Sequence, residues 1–357
     1  MVKGIDQREL ARLAKRLLLE LREAAANTRD GSLARPVDVW RRGFVARQAL
    51  LFDFRTYGFD AFVSEVERKK KLPRLNGNSN LFADKLFSYL YLREIAAPTP
   101  SVYAFTDAGR IVVLNERGDT SSMDANSMDA LLQRHGKLVV KPRYGAHGRG
   151  FCRVERANGS IQVSGRRATT LEDCLSGQMI ISEHIEQHHY ARRIYVGATN
   201  TLRLLSMRDA DTGEPFVAAA LHRFGSERSK PVDNTGAGGL TAEVDLVTGV
   251  LGPLAAMPGC YLPHGHPVVW HDDHPDTGVR VTGTVVPRWS EVVDEVNRAM
   301  RFLPGLDWIG WDVVVTSDGF TLIEGNAGPD ITFQVHRPLL LDERVQASFK
   351  AHGIISR

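Results

Sequence analysis

Three stretches of the 357-residue chain place charged side chains where an apolar pattern makes charge expensive. The first runs Val139-Val140-Lys141-Pro142-Arg143-Tyr144-Gly145-Ala146-His147-Gly148-Arg149-Gly150, a short apolar strand that ends on a lysine and enters a loop with three glycines. Such glycines let backbone N–H groups approach phosphate oxygens while the ammonium neutralises them. The order differs from the P-loop, in which glycines precede Lys-Ser/Thr at a helix start. Taken alone, the stretch also reads as a plain hairpin.

The second stretch combines Trp311-Asp312-Val313 with Gly319-Phe320-Thr321-Leu322-Ile323-Glu324-Gly325-Asn326. Strands over Trp308–Thr316 and Thr321–Glu324, turning at Ser317-Asp318-Gly319, predict a hairpin. Antiparallel pairing can bring Asp312 and Glu324 to one face, and the period of two puts Asn326 on the same side as Glu324. Two carboxylates and an amide oxygen are hard ligands of the kind Mg²⁺ uses alongside water and substrate phosphates. A surface hairpin with scattered acids is the bland alternative, and the apolar neighbours weigh against it.

The third stretch begins at Asn200-Thr201-Leu202-Arg203, continues through Arg223 and ends at Asp233-Asn234-Thr235-Gly236-Ala237-Gly238-Gly239. Arg203 lies in an apolar strand, a poor place for a guanidinium unless an anion meets it. A structural salt bridge explains Arg203 alone equally well. Arg203, Arg223 and Asn234 together, ahead of the acidic hairpin, point to an anion-binding site.

The elements that must carry these groups are short and mixed. Leu10, Leu13, Leu17 and Leu21 recur at helical spacing and predict packed amphipathic helices over residues 5–27. A second helix around Leu81–Ile95 meets the breaker cluster Ala97-Pro98-Thr99-Pro100 and the strand-like Ser101–Phe105. Strands follow at Leu138–Lys141, Phe151–Val154, Ile161–Val163, Met179–Ser182, Asn200–Met207 and Pro215–His222, and a helix at Trp289–Phe302. Ser, Asn and Gly dominate Phe224–Gly239, which predicts a mobile loop. The expected organisation is a basic helical region over 1–75, a linker or first lobe over 76–136, a small lid subdomain over 137–186, and a catalytic subdomain with the Mg²⁺ site over 187–357.

Composition excludes several classes. With 43% hydrophobic and 24% charged residues the chain is ordinary globular protein, long enough for two or three lobes. Its net charge of +3 implies no polyanionic partner, although residues 1–74 carry 17 Lys+Arg against 10 Asp+Glu. The densest run is Arg68-Lys69-Lys70-Lys71, read as a solvated helix end or as a contact to an acidic group. Cys152, Cys174 and Cys260 form neither a disulfide scaffold nor a zinc pattern. His184 and His188 stand four apart, but at a strand end and loop rather than on the helix that a metal pair needs. There is no Gly-x-Ser-x-Gly elbow for a hydrolase. Without a signal-type segment or an apolar run long enough to span a bilayer, a cytoplasmic protein is expected, with no membrane or nucleic-acid partner.

Taken in order, these features resemble the ATP-grasp superfamily over roughly residues 80–335. Asp84-Lys85 with the turn after it looks like the helix whose lysine contacts nucleotide phosphates. Lys141 and the loop Tyr144, Gly145, Ala146, His147, Gly148 and Gly150 look like the second lysine and its flexible lid. Ile180–Glu186 looks like the hinge, so Glu183, His184, Ile185, Glu186 and His188 are candidates to hold adenine and ribose. Asp312, Glu324 and Asn326 match the two-magnesium set. In motif order the chain is similar to the glutamate ligases that modify ribosomal protein tails. Closer in wording are Gln187-His188, Asn200-Thr201-Leu202-Arg203, Gly238-Gly239-Leu240, His274-Pro275-Asp276-Thr277-Gly278 and Ile309-Gly310-Trp311-Asp312, which look like the ATP-grasp group associated with sugar transfer.

The resemblance implies an α/β fold with α+β lobes and the nucleotide held between two of them; nothing carries over onto the extra helical N-terminal region 1–75, whose basic helices either shape the acceptor pocket or merely pack. It implies ATP and Mg²⁺, with Mn²⁺ as a substitute, and a carboxylate–amine ligation through an acylphosphate that releases ADP and phosphate. Arg203, Arg223 and Asn234 would then serve the γ-phosphate and the acylphosphate. The substrates would be a small-molecule or peptide carboxylate and an amine, and a homodimer is left open. A small-molecule phosphotransferase and a non-catalytic ATP-binding module are the alternatives.

Overall fold

The computed structural model describes residues 7–29, 34–108, 110–114, 120–123, 126–145, 148, 150–157, 159–165 and 169–356. Among the described residues, fourteen strands form two antiparallel sheets of seven. The first holds β1 (Val102–Asp107), β2 (Arg110–Leu114), β3 (Thr120–Met123), β4 (Lys137–Pro142), β5 (Cys152–Ala157), β6 (Ser160–Gly165) and β7 (Met179–Glu183). Its order is β3-β2-β1-β7-β4-β5-β6, so the strands around residues 102–123 extend the sheet that carries the glycine-rich loop. The second holds β8 (Leu202–Arg208), β9 (Pro215–Phe224), β10 (Leu240–Val244), β11 (Leu251–Ala256), β12 (Val269–His271), β13 (Trp308–Val315) and β14 (Phe320–Asn326), ordered β12-β11-β10-β9-β8-β13-β14.

The two faces of the second sheet do different work. Side chains alternate along each strand. Ile309, Trp311 and Val313 of β13, with Leu202 and Leu204 of β8, therefore face the helix Trp289–Arg301. That helix buries Trp289, Val292, Val296, Ala299 and Met300 at spacings of three and four. Full burial of Val292, Val296 or Met300 contributes roughly 1.5–3 kcal/mol each. The opposite face packs Leu205, Met207, Leu221, Ala255 and Met257 against Phe44, Phe52, Phe62 and Leu75 of the N-terminal region and Phe349 near the C-terminus. The N-terminal region thus covers part of one sheet face.

The sheets are tied by short backbone links. Leu322 N donates to Pro98 O at 2.6 Å, and His188 N donates to Val315 O at 2.8 Å. Asp84 caps the helix Lys85–Glu94 by accepting from Leu86 N at 3.0 Å.

Two expectations are corrected. Along the helix Gln7–Arg29 the side chains of Leu10 and Leu13 lie outside the described residues, Leu17, Leu18 and Leu21 are exposed, and Glu23, Ala24 and Asn27 are buried beside the helix Ala46–Leu51. Phe224–Gly239 is not free in space: Ser226 and Ser229 are fully buried. Ser226 Oγ donates to Gly238 O at 2.7 Å, and the Asp233 carboxylate accepts from Thr201 N at 2.9 Å. Its polar residues satisfy one another and the sheet instead of water.

Candidate active site

The site is built on the sheet face that the N-terminal region only partly covers. Directly opposed residues of an antiparallel pair share a face. Asp312 is opposed to Glu324 on one side and to Arg203 on the other, so three strands deliver these groups to one place. Arg203 is opposed to Leu221, which puts Arg223, two residues on, on the same face, and Arg223 is opposed to Thr241.

Asp312 lies at the centre and is almost wholly buried. Arg203 donates to it through Nε and, at 3.0 Å, through Nη2, and Arg223 Nη2 donates at 2.9 Å. Burial alone would raise the Asp312 carboxyl, but the two guanidiniums overcome it and hold it below the usual carboxylate range. Arg223 also donates from Nε to Thr201 Oγ1 at 2.9 Å, and that hydroxyl donates to Asp233 at 2.5 Å. Asp233 differs from Asp312 in sign: burial pushes it up, and Arg223, 3.4 Å away, only partly offsets this.

Two lysines complete the charge set. Lys85 Nζ donates to Gly145 O at 2.6 Å and stands 3.9 Å from Glu324. Lys141 is pushed down by burial, with Glu324 pulling it back up and Lys85 opposing that pull. The four cations Lys85, Lys141, Arg203 and Arg223 thus face three acids, Asp312, Glu324 and Asp233. The excess is local to this cluster, since the whole lining of the cleft holds six Lys and Arg and six Asp and Glu, and a local cluster of cations suits phosphate oxygens.

A cavity of about 800 Å³ joins these groups. Lys85, Lys141, Tyr144, Gly145, Gly148, Glu183, His184, Ile185, Arg203, Arg223, Asn234, Asp312, Glu324 and Asn326 all line it. Gly150, Glu186 and His188 do not. Gly150 has a φ of +74°, and an added Cβ would meet Pro142 at 2.8 Å, so its place is set by backbone geometry. Glu186 pairs with Lys137 at 3.2 Å. His188 caps the helix His189–Ile194 by accepting from Tyr190 N at 3.1 Å. Ala146 and His147 lie outside the described residues.

One support was not anticipated from sequence, and a second was one of two readings of residues 1–75. Asp84 accepts from Arg143 Nε at 2.8 Å and from Tyr144 Oη at 2.8 Å, and Lys85 N donates to Arg143 O at 3.0 Å. The start of the glycine loop is thereby fastened to the helix that carries Lys85. An acid immediately before a helix is a capping signal, and it was the available clue. The second is the N-terminal wall: Val45, Arg47, Gln48, Glu65 and Arg68 line the same cavity.

The residues fit both a nucleotide and a hard divalent cation. His184 Nδ1 is buried with no hydrogen-bond partner among the described residues, and it lines the hinge side of the cavity. Asn326 Nδ2 donates to Gly310 O at 3.3 Å, which leaves its Oδ1 as an acceptor beside Glu324. The described residues contain no group of three or more His, Cys, Asp or Glu placed to hold a metal, so the set is two carboxylates and an amide. Oxygen-only ligation of this kind suits Mg²⁺ rather than zinc.

This fold and this site define an ATP-grasp protein. The sequence profile of the sugar-transfer associated ATP-grasp family matches residues 70–348, and the chain belongs to that family. A comparison with curated proteins finds no match. Among solved structures, the ATP-grasp ligase PsnB, complexed with minimal precursor, Mg and ADP, is 12% identical over 71% of this chain and 53% of its own, with a TM-score of 0.34. N5-carboxyaminoimidazole ribonucleotide synthetase from Thermotoga maritima is 11% identical over 75% of this chain and 49% of its own, with a TM-score of 0.36. The enzyme from Staphylococcus aureus is 9% identical over 75% and 52%, at 0.38. The chain therefore spans about half the length of these proteins. No helix among the described residues is long and apolar enough to cross a membrane.

Proposed function

We propose that the chain is an ATP-dependent carboxylate–amine ligase that works through an acylphosphate and releases ADP and phosphate. The observation that carries this reading is the convergence of Lys85, Lys141, Arg203 and Arg223 with Asp312, Glu324 and Asn326 on one cavity, beneath a glycine-rich loop. Among the described residues the hydroxyl at its centre, Thr201 Oγ1, is tied between Arg223 and Asp233, so the chemistry is assigned to the substrates. The protein's task is positioning and charge stabilisation.

Lys85 and Lys141 neutralise the α- and β-phosphates. Arg203, supported by Arg223 and Asn234, faces the γ-phosphate and the acylphosphate. Asp312 holds both guanidiniums in place before substrate arrives, so their orientation requires no reorganisation during the reaction. Asp312, Glu324 and Asn326 would hold Mg²⁺, with Mn²⁺ as a substitute; when bound it supplies neutralisation of the β- and γ-oxygens. The carboxylate oxygen attacks the γ-phosphorus and ADP leaves. The amine then attacks the acyl carbon, loses a proton, and phosphate leaves carrying the former carboxylate oxygen. The glycine loop excludes water that would hydrolyse the intermediate.

Incubation with ATP, Mg²⁺ and pooled amino acids tests the reading. Release of ADP and phosphate together with a new amide is the expected outcome. AMP and pyrophosphate contradict it, and a stable phosphorylated small molecule without an amide marks the phosphotransferase alternative.

A further inference from the structure

The site face extends beyond the reaction centre. Thr241 is opposed to Ala255, and Met257, two residues on, continues the same side towards Cys260. From β14 to β11 is five strand spacings, about 24 Å. The phosphate-facing groups occupy β14, β13, β8 and β9, so the far end of the cavity beside β10 and β11 is left for another molecule. The part of the cavity wall outside the family match includes Arg47, Glu65 and Arg68; Arg47 meets Cys260, beyond β11, while Asp330 follows Pro329, which lies against Gly310 of β13.

The charges along this wall are unequal in their commitments. Arg68 is bound to Glu65 through two bonds of 2.8 and 2.7 Å, and Asp330 accepts from Thr332 N at 2.8 Å. Arg47 has no carboxylate partner among the described residues. Its Nη2 donates to Pro258 O at 2.8 Å and to Cys260 Sγ at 3.1 Å. Its Nε is buried and closed to the cavity, whereas Nη1, neither buried nor hydrogen-bonded among the described residues, is the donor left open. Arg47 is also half-buried and held by its two partners, so it is oriented before any ligand binds.

We propose that Arg47 is the anion-binding residue of an acceptor subsite. The acceptor would carry an anionic group, carboxylate or phosphate, at a distance from the atom that reacts near Arg203. The word acceptor rests on the ligase reading; the anion site itself does not.

Cys260 makes the subsite measurable, because Cys152 and Cys174 are buried and Cys260 is not. The full chain is treated with iodoacetate or with uncharged iodoacetamide, and the rate at Cys260 is followed by mass spectrometry. The ratio of the two rates cancels any change in the thiol itself and reports anion recruitment. We expect the ratio to exceed that of N-acetylcysteinamide about fivefold, the factor for ~1 kcal/mol between unit charges 4 Å apart in water-like surroundings. Arg47→Gln should abolish the excess and Arg47→Lys should keep most of it. Glutarate should slow iodoacetate at wild-type Cys260 if the group is a carboxylate, and inorganic phosphate should do so if it is a phosphate.

A wild-type ratio equal to the free thiol's, an excess that survives Arg47→Gln, protection by neither anion, or no labelling of Cys260 would each overturn the proposal. If Arg47→Gln unfolds, which labelling of Cys152 and Cys174 reveals, the wild-type ratio and the anion protection decide. The assay uses neither ATP nor turnover. Absence of ADP release would defeat the ligase reading and leave this result standing.

Discussion

Replacing Asp312 by Asn removes one negative charge and little volume from a position where two guanidiniums converge. Side-chain exposure is 7% for Asp312, 15% for Arg203 and 11% for Arg223, so solvent screens the cluster weakly. Deleting one partner of a buried ion pair typically costs 3–5 kcal/mol, because the remaining charge is stranded. Here Arg223 keeps Thr201 at 2.9 Å and Asp233 at 3.4 Å, while Arg203 loses the only carboxylate bonded to it among the described residues. The expected loss is therefore at the lower end, about 3 kcal/mol. Urea unfolding of wild type, Asp312→Asn, Arg203→Gln and the double variant measures it. The two arms should couple by about 1.5–3 kcal/mol, since the double variant removes a pair rather than stranding a charge. A loss under about 1 kcal/mol with no coupling, the behaviour of exposed pairs, would refute the claim that Asp312 organises the two arginines.

Glu324→Gln should behave differently. Its side chain is 26% exposed and its ion pair with Lys85 is long, so stability should change by less than about 1 kcal/mol while Mg²⁺-dependent turnover falls by at least about a hundredfold. Asp84→Ala removes a helix cap and strands Arg143. A loss of about 2–4 kcal/mol in urea unfolding is expected, with a raised KM for ATP because the loop start is no longer held to the Lys85 helix. The pH dependence of stability has a definite sign. Burial pushes His222 and His336 down to about 3, so both stay neutral in the folded chain while they charge in the unfolded one. Their contribution is intact above about pH 6.5 and is lost as pH falls towards 3, by roughly 2–3 kcal/mol per histidine at pH 4.5. Unfolding curves at pH 7 and 4.5 for wild type and His336→Gln should show the variant losing less.

What the sequence made legible was local. Asp312 and Glu324 could be paired because a hairpin with period-two alternation leaves little choice of register, and Lys141 was conspicuous because an apolar strand ends on it. The partner of Arg203 was not legible. It lies 109 residues away, and the strand order β9-β8-β13 that brings it there is set by long-range sheet assembly. For the same reason the part of Arg47 in the N-terminal wall was not legible: it meets Pro258 and Cys260 across more than two hundred residues. The strand β2 and the edge strand β3 are short, and nothing in their spacing marks them. Phe224–Gly239 was read as mobile because composition reports polarity and not who satisfies it; Ser226, Ser229 and Asp233 find their partners within the fold.

The central claim is that a substrate carboxylate takes the γ-phosphate before an amine displaces it. Following the carboxylate oxygen tests this most directly. With the amino-acid pool labelled by ¹⁸O in the carboxyl groups, ATP and Mg²⁺, the account predicts phosphate that carries one ¹⁸O for each amide formed. Phosphate without ¹⁸O, or label retained in full by the product, would contradict it.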